Sequence, residues 1–510
     1  MIQIRKPVPT HQFNLHSLYF HQIRTYNKMA LKAKINSSML PELSTPNPVN
    51  PPTYSKFAPA YDPNDMLASS KKGVYKITLN RPTKLNCIDQ SMIDKIIPQL
   101  REWSAEKNAQ VIIIKGSGNR ALSAGGDVAA LAKDNYYNGH EGSARSTIYF
   151  RDEYYLNHLL ATYRRPVISV MNGITMGGGV GISVHAPFRI ITEKTLFAMP
   201  EADIGFFPDV GGTYFLPRLD GQTGIYLGLT SKRLKGYDAY VAGVGTHFIS
   251  ESLLPEVEAR LVEVFSHRSA STHDAFELVN SVLMEFESPP PEGYKFFLTS
   301  KTRKMIDECF SLETAEEIAA ALAADGSEIA LEARKNMLAR SPTSVKVTLA
   351  AMRRARHLGI RHALEAELRL AENFMYGKEF IEGVNAKLIS KPARDPRWNP
   401  PRLEDVSDEL VEQYLGNRPN SVVEGNKFFH PEHNGLYPRH HFGLPAERHV
   451  KEYITGSKFG RKTRVSAQEV LDFFTHETQS KYGVHEKIQD ILDRKTKPHP
   501  LNNNLLEWIY

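Results

Sequence analysis

The stretch Asn172-Gly-Ile-Thr-Met-Gly-Gly-Gly-Val-Gly181 and its sequel Ala198-Met-Pro-Glu-Ala-Asp-Ile-Gly-Phe-Phe-Pro-Asp-Val-Gly-Gly212 decide how the chain is read. Before them, Arg165-Pro-Val-Ile-Ser-Val-Met171 is a short apolar run behind a proline, the pattern of a buried strand. Gly177, Gly178 and Gly179 then strip every β-carbon from a turn, which a chain needs where its backbone must approach a ligand or adopt positive φ. A helix starting at about Gly178 leaves its first N–H groups unpaired and able to donate to developing negative charge. Glu201 and Asp209, each behind a proline, put two carboxylates in the sequel, suited to acid–base or nucleophilic work on a carbonyl. Tight helix–sheet packing with solvated carboxylates explains the same residues without chemistry. A dinucleotide-binding loop does not fit, because the residue three after Gly179 is Ile182, not glycine.

Outward from this centre, a second unit of the same kind precedes it. Val111-Ile-Ile-Ile-Lys115 reads as a central buried strand, followed by Gly116-Ser-Gly-Asn119 and Leu122-Ser-Ala-Gly-Gly-Asp127. One N–H from each glycine turn, meeting at a carbonyl, would make a two-donor oxyanion hole, each donor contributing roughly 3–4 kcal/mol in the transition state. Val74 to Leu79 alternates as a strand, Gln90 to Glu106 reads as a helix, and Ser146 to Tyr163 reads as another, carrying Glu153. Strands, glycine turns and helices alternate over 73–250, which predicts α/β.

The flanks differ in composition. Residues 1–41 have no Asp or Glu and intersperse basic with apolar residues, the pattern of a mitochondrial transit segment or of a basic arm. Residues 42–72, with seven prolines between 41 and 65, read as a linker. From 251 to 415 helical patterns dominate, and 416–510 forms a further extension in which Ser466-Ala-Gln-Glu469 is a capping box. A net charge of +6 over 510 residues gives no more than weak attraction to polyanions. Two cysteines, Cys87 and Cys309, allow one disulfide arithmetically but exclude a disulfide framework and a cysteine-based metal site. No apolar run approaches the roughly 20 residues that span a bilayer. His430, His433, His440 and His441 lack a metal-binding framework and read as solvated or stacked.

Taken together, Leu79-Asn-Arg-Pro-Thr-Lys-Leu-Asn86, Ser123-Ala-Gly-Gly-Asp127, Gly173 to Gly181, Phe197-Ala-Met-Pro-Glu201, Ile204 to Gly212, Leu216-Pro-Arg218, Ser341-Pro-Thr-Ser344 and Phe380-Ile-Glu-Gly-Val384 with Leu388-Ile389 resemble the crotonase (enoyl-CoA hydratase/isomerase) superfamily, and within it the 3-hydroxyisobutyryl-CoA hydrolases, over about 73–415. The resemblance implies an α/β crotonase fold of repeated ββα units, with a helical part over 251–415. It implies an acyl-CoA substrate, no cofactor beyond the CoA of that substrate, and no metal. It places the oxyanion donors at Gly126 and Gly178 and the catalytic glutamate at Glu201. Asp209 would hold the substrate hydroxyl or a water, and Glu153 is a further substrate contact. Lys84, Leu85 and Asn86 lie where the superfamily meets the CoA adenine. The hydratases carry a second glutamate two residues after the glycine triplet. Gly181 stands there, which favours thioester hydrolysis over water addition. Long-tailed mitochondrial members resemble components of the small mitochondrial ribosomal subunit, a partner that the 416–510 extension would fit. The implied location is the mitochondrial matrix, and the oligomeric state is left open.

Overall fold

The computed structural model describes residues 62–509 apart from 268–270, 296, 299, 424–441, 458–459 and 461–462. The acid-free start, most of the proline-rich linker and the four histidines between 430 and 441 lie outside the described residues.

Two sheets carry the core. The larger contains β1 (Met66–Lys71), β2 (Val74–Leu79), β3 (Val111–Gly116), β5 (Val167–Met171), β7 (Phe188–Ile191) and β10 (His247–Phe248), in that spatial order. The smaller runs β4 (Ala121–Ser123), β6 (Ile174–Met176), β8 (Leu196–Ala198), β9 (Leu234–Lys235). Each of β3, β5 and β7 is followed at once by a short strand of the second sheet, so the chain repeats one unit three times. The parallel register of β2, β3, β5 and β7 buries both faces of the larger sheet. Alternation sends Ile112 and Ile114 into the main core, while Val111 and Ile113 pack into a second core with Leu261, Phe265 and Val279 of the helices Leu254–His267 and Thr272–Glu285.

The expected elements recur with identifiable corrections. Helix α1 (Gln90–Ala105) is capped by Asp89, whose carboxylate accepts from the Met92 N–H at 3.1 Å. The helix read from Ser146 extends back to Val128: α2 (Val128–Ala161) is kinked at Gly139, whose φ of 51° breaks the helical path. Part of the linker is not linker. β1 pairs antiparallel with β2 from Met66↔Leu79 to Lys71↔Val74 and forms the edge of the larger sheet. Cys87 and Cys309 are both free.

The extension is docked on the core from Phe442 onward. Phe442 stacks on Phe188 with ring centroids 4.5 Å apart, entering the second core. Lys481 and Glu287 form an ion pair at 2.6 Å whose side chains are 2% and 3% exposed. Lys487 meets Asp220 at 2.9 Å, and Asp220 also accepts from the Glu447 N–H at 2.8 Å. The helices Glu447–Thr455, Ala467–Glu477 and Val484–Lys495 lead into the hairpin of β11 (Thr496–His499) and β12 (Asn502–Trp508). Ser466 and Glu469 make the expected capping box. Among the described residues no helix is long and apolar enough to cross a membrane, and no cluster of His, Cys, Asp and Glu is placed to hold a metal ion.

Candidate active site

The strands β4, β6 and β8 run parallel, with Ser123 opposite Thr175 and Met176 opposite Ala198. Their carboxyl ends therefore open side by side. Gly125-Gly126 follows the first, Gly177-Gly178 the second, and Pro200-Glu201 the third. The repeated unit thus delivers two glycine turns and one glutamate to one edge.

Both expected oxyanion donors are free. Among the described residues neither Gly126 nor Gly178 donates a backbone hydrogen bond. Gly178 opens α3 (Gly178–Gly181), so its N–H is one of the donors a helix start leaves unpaired. A β-carbon on Gly178 would lie 2.3 Å from Glu153 Oε1 and 3.3 Å from the Gly126 nitrogen, so only glycine lets the two turns and the glutamate close on one another. A β-carbon on Gly177 would lie 3.0 Å from Glu201 Oε1, which puts the second glutamate against the same turn.

The carboxylates are buried and short of partners. Glu153, Glu201 and Asp209 are 1%, 5% and 3% exposed, and Glu153 Oε1 and Glu201 Oε2 have no hydrogen-bond partner. Burial, then the charge of Asp209, drives both glutamates well above the usual carboxylate range. Burial pushes Asp209 up to about 7, against the Tyr154 hydroxyl, which donates to Asp209 Oδ2 at 2.8 Å. Three buried carboxyls coupled by charge cannot all ionise, so protons are held and shared there.

Two groups without local sequence signals fix the loop that carries Asp209. Glu367, on the helix Ile360–Tyr376, accepts from the Gly211 N–H at 2.7 Å, the Thr213 N–H at 2.9 Å and the Thr213 hydroxyl at 2.5 Å. Burial nonetheless pushes its carboxyl up to about 8. His185 Nε2 donates to the Val210 carbonyl at 2.7 Å, and burial takes its pKa down to about 4, so the ring is neutral. Between these anchors Val210 sits at φ 52°, a strained conformation for a β-branched residue that costs of order 1–3 kcal/mol.

The Lys84–Asn86 loop adjoins the first glycine turn. Ala124 N–H donates to the Leu85 carbonyl at 3.0 Å and Ile88 N–H to the Gly125 carbonyl at 2.8 Å. Lys84 is exposed at the rim and pairs with Asp127 at 2.9 Å. The Asn86 side chain is turned inward: it donates to the Ala121 and Ser117 carbonyls and accepts from the Arg81 N–H; its own N–H donates to the Arg81 carbonyl, which leaves its backbone carbonyl for a ligand.

The titrations have a consequence for stability. Asp209 and Glu367 hold protons in the folded chain that the unfolded chain has released above its ordinary carboxylate range, so stability falls as pH rises toward about 8. Urea midpoints measured from about pH 5 to about pH 8 decline, and Asp209→Asn flattens the decline. A midpoint that rises across this range, or an unchanged slope in the variant, refutes the assignment.

Residues 74–415 match the model of the enoyl-CoA hydratase/isomerase family. The chain is 43% identical to the mitochondrial 3-hydroxyisobutyryl-CoA hydrolase of Danio rerio, over 67% of this chain and 86% of that protein. It is 42% identical to the small ribosomal subunit protein mS47 of Neurospora crassa, over 92% of each chain. Among solved structures it superposes on a carnitinyl-CoA dehydratase from Mycobacterium thermoresistibile with a TM-score of 0.62 and 33% identity, covering 71% of this chain and 99% of that one.

Proposed function

We infer a thioester hydrolase from the premise that this chain belongs to the enoyl-CoA hydratase/isomerase family. The substrate is 3-hydroxyisobutyryl-CoA and the products are 3-hydroxyisobutyrate and CoA, formed in the mitochondrial matrix. The observation that carries the reading is the meeting of two free glycine N–H groups with a buried Glu201 whose Oε2 has no hydrogen-bond partner.

The thioester carbonyl oxygen takes both N–H groups of Gly126 and Gly178. Glu201 removes a proton from water, and the hydroxide adds to the carbonyl carbon. The charge that develops on oxygen is stabilised by donors already in place. Collapse of the tetrahedral intermediate breaks the carbon–sulfur bond and releases CoA, whose sulfur takes the proton from Glu201. Glu201 acts here as general base, in its ionised form. Asp209, one oxygen fixed by Tyr154, orients the water, and Glu153 lines the acyl pocket. Lys84, Leu85 and Asn86 flank the CoA, with Asn86 acting through its backbone. The backbone donors supply the polarisation, so the scheme calls for no metal or redox cofactor.

A second reading rests on coverage. The likeness to the hydrolase spans 67% of this chain, whereas the likeness to the ribosomal protein spans 92% and takes in the extension. We propose that residues 416–510 provide an attachment to the small mitochondrial ribosomal subunit, on a body that keeps its catalytic site. One experiment addresses both. CoA-thiol release from 3-hydroxyisobutyryl-CoA by the purified chain is measured beside sedimentation of the protein from mitochondrial lysate. Release with sedimentation at the top of the gradient supports the enzyme alone; release with co-sedimentation supports both. Absence of release from a folded, CoA-binding chain removes the enzyme reading.

A further inference from the structure

Asn157 is 0% exposed, and neither atom of its amide, Nδ2 nor Oδ1, has a hydrogen-bond partner. Buried polar groups are ordinarily hydrogen-bonded, so a ligand or water in the working protein is its natural complement. Its position is bounded by the site on three sides. It lies one turn after Glu153 on α2, in a stripe of Tyr149, Glu153 and Asn157 at intervals of four. A β-carbon on Gly181 would lie 2.7 Å from Asn157 Nδ2, and Gly181 is three residues beyond the Gly178 donor, about 4.5 Å along the helix. The same β-carbon would lie 2.6 Å from Val210 Cβ, and Val210 directly follows Asp209.

We propose that Asn157 is the specificity-determining residue that recognises the hydroxyl of the acyl chain. This inference rests on the hydrolase reading and deepens it. With the carbonyl oxygen held by Gly126 and Gly178, the acyl chain points deeper along α3, toward Asn157. A hydroxyl needs an acceptor for its proton and a donor for its oxygen. The carboxamide presents both side by side. A pocket with such a partner rejects the analogue that lacks the hydroxyl, because the amide is then left unpaired.

The test compares 3-hydroxyisobutyryl-CoA with isobutyryl-CoA in the full chain and in Asn157→Leu, which keeps the side chain's size and removes both hydrogen-bonding atoms. The ratio of kcat/KM between the two thioesters falls about 10- to 100-fold, chiefly through a higher KM for the hydroxylated one, while the melting temperature stays level or rises. Asn157→Ser, a smaller change that shortens the polar reach, lowers the ratio in the same direction and decides the matter if the leucine variant does not fold. Equal losses on both thioesters mean that Asn157 acts structurally or on the attacking water, and overturn the inference alone. A wild-type chain that cleaves neither thioester overturns the hydrolase reading and this inference with it.

Discussion

Glu201→Gln lowers the kcat for CoA release about 10²- to 10⁴-fold, the range a positioned acid–base group contributes. It does so without lowering the melting temperature. The two halves of that result have one cause. Glu201 is buried beside Asp209 and Glu153 with Oε2 unpartnered, so ionising it, as catalysis requires, is opposed by burial and by the charge of Asp209. Glutamine keeps the shape and can never ionise, so the protein stays level or becomes more stable as it becomes inactive. CoA-thiol release and a thermal melt on the same preparation check both halves. Turnover within tenfold of wild type would move the role to Glu153, which shares the Gly178 turn.

Lys481→Met destabilises the chain by about 3–5 kcal/mol. The pair it breaks is buried, and burial pushes the Glu287 carboxyl up and the Lys481 ammonium down, so each ion depends on the other to stay charged. With Lys481 gone, Glu287 keeps the Tyr482 N–H on Oε2 at 3.2 Å, but the Tyr240 hydroxyl spends its proton on the Tyr482 carbonyl at 2.8 Å, and no positive charge replaces the ammonium lost from Oε1 at 2.6 Å. Adding Glu287→Gln recovers most of the loss, because the orphaned charge, not the missing contact, carries the cost. Urea unfolding of the single and double variants gives the comparison. A single-variant loss below about 1 kcal/mol would place the extension outside the cooperative unit of the core.

The parts of the site that the sequence displays are those made by local geometry. A buried strand followed by glycines announces a free N–H, and this happens at Gly126 and at Gly178. Glu201 stands out because it follows the third short strand in the same way. Tyr154 and Glu367 are invisible on this basis, since they meet their partners 55 and 156 residues away in sequence. Asn157 did have a signal, its spacing of four from Glu153, but an asparagine on a helix is ordinarily solvated. β1 was hidden for another reason. As an edge strand exposed along nearly its whole length it lacks the alternation by which β2 is recognised, and it follows a run of prolines. The docking of the extension combines apolar packing with two buried charges, Lys481 and Lys487, which look in sequence like any surface lysine.

The space around Gly181 also bears on how this lineage can change its chemistry. By the resemblance, a hydratase carries glutamate at that position, so one codon separates the two reactions on paper. Here Val210 Cβ and Asn157 Nδ2 stand where the first carbon of that glutamate would go. A chain that acquired Gly181→Glu alone would clash before it could catalyse anything. Val210 and Asn157 have to give way first, and each of those changes disturbs the loop of Asp209 or the floor of the pocket. The step from one reaction to the other is therefore sterically opposed at this position, chiefly by the Val210 backbone-proximal carbon.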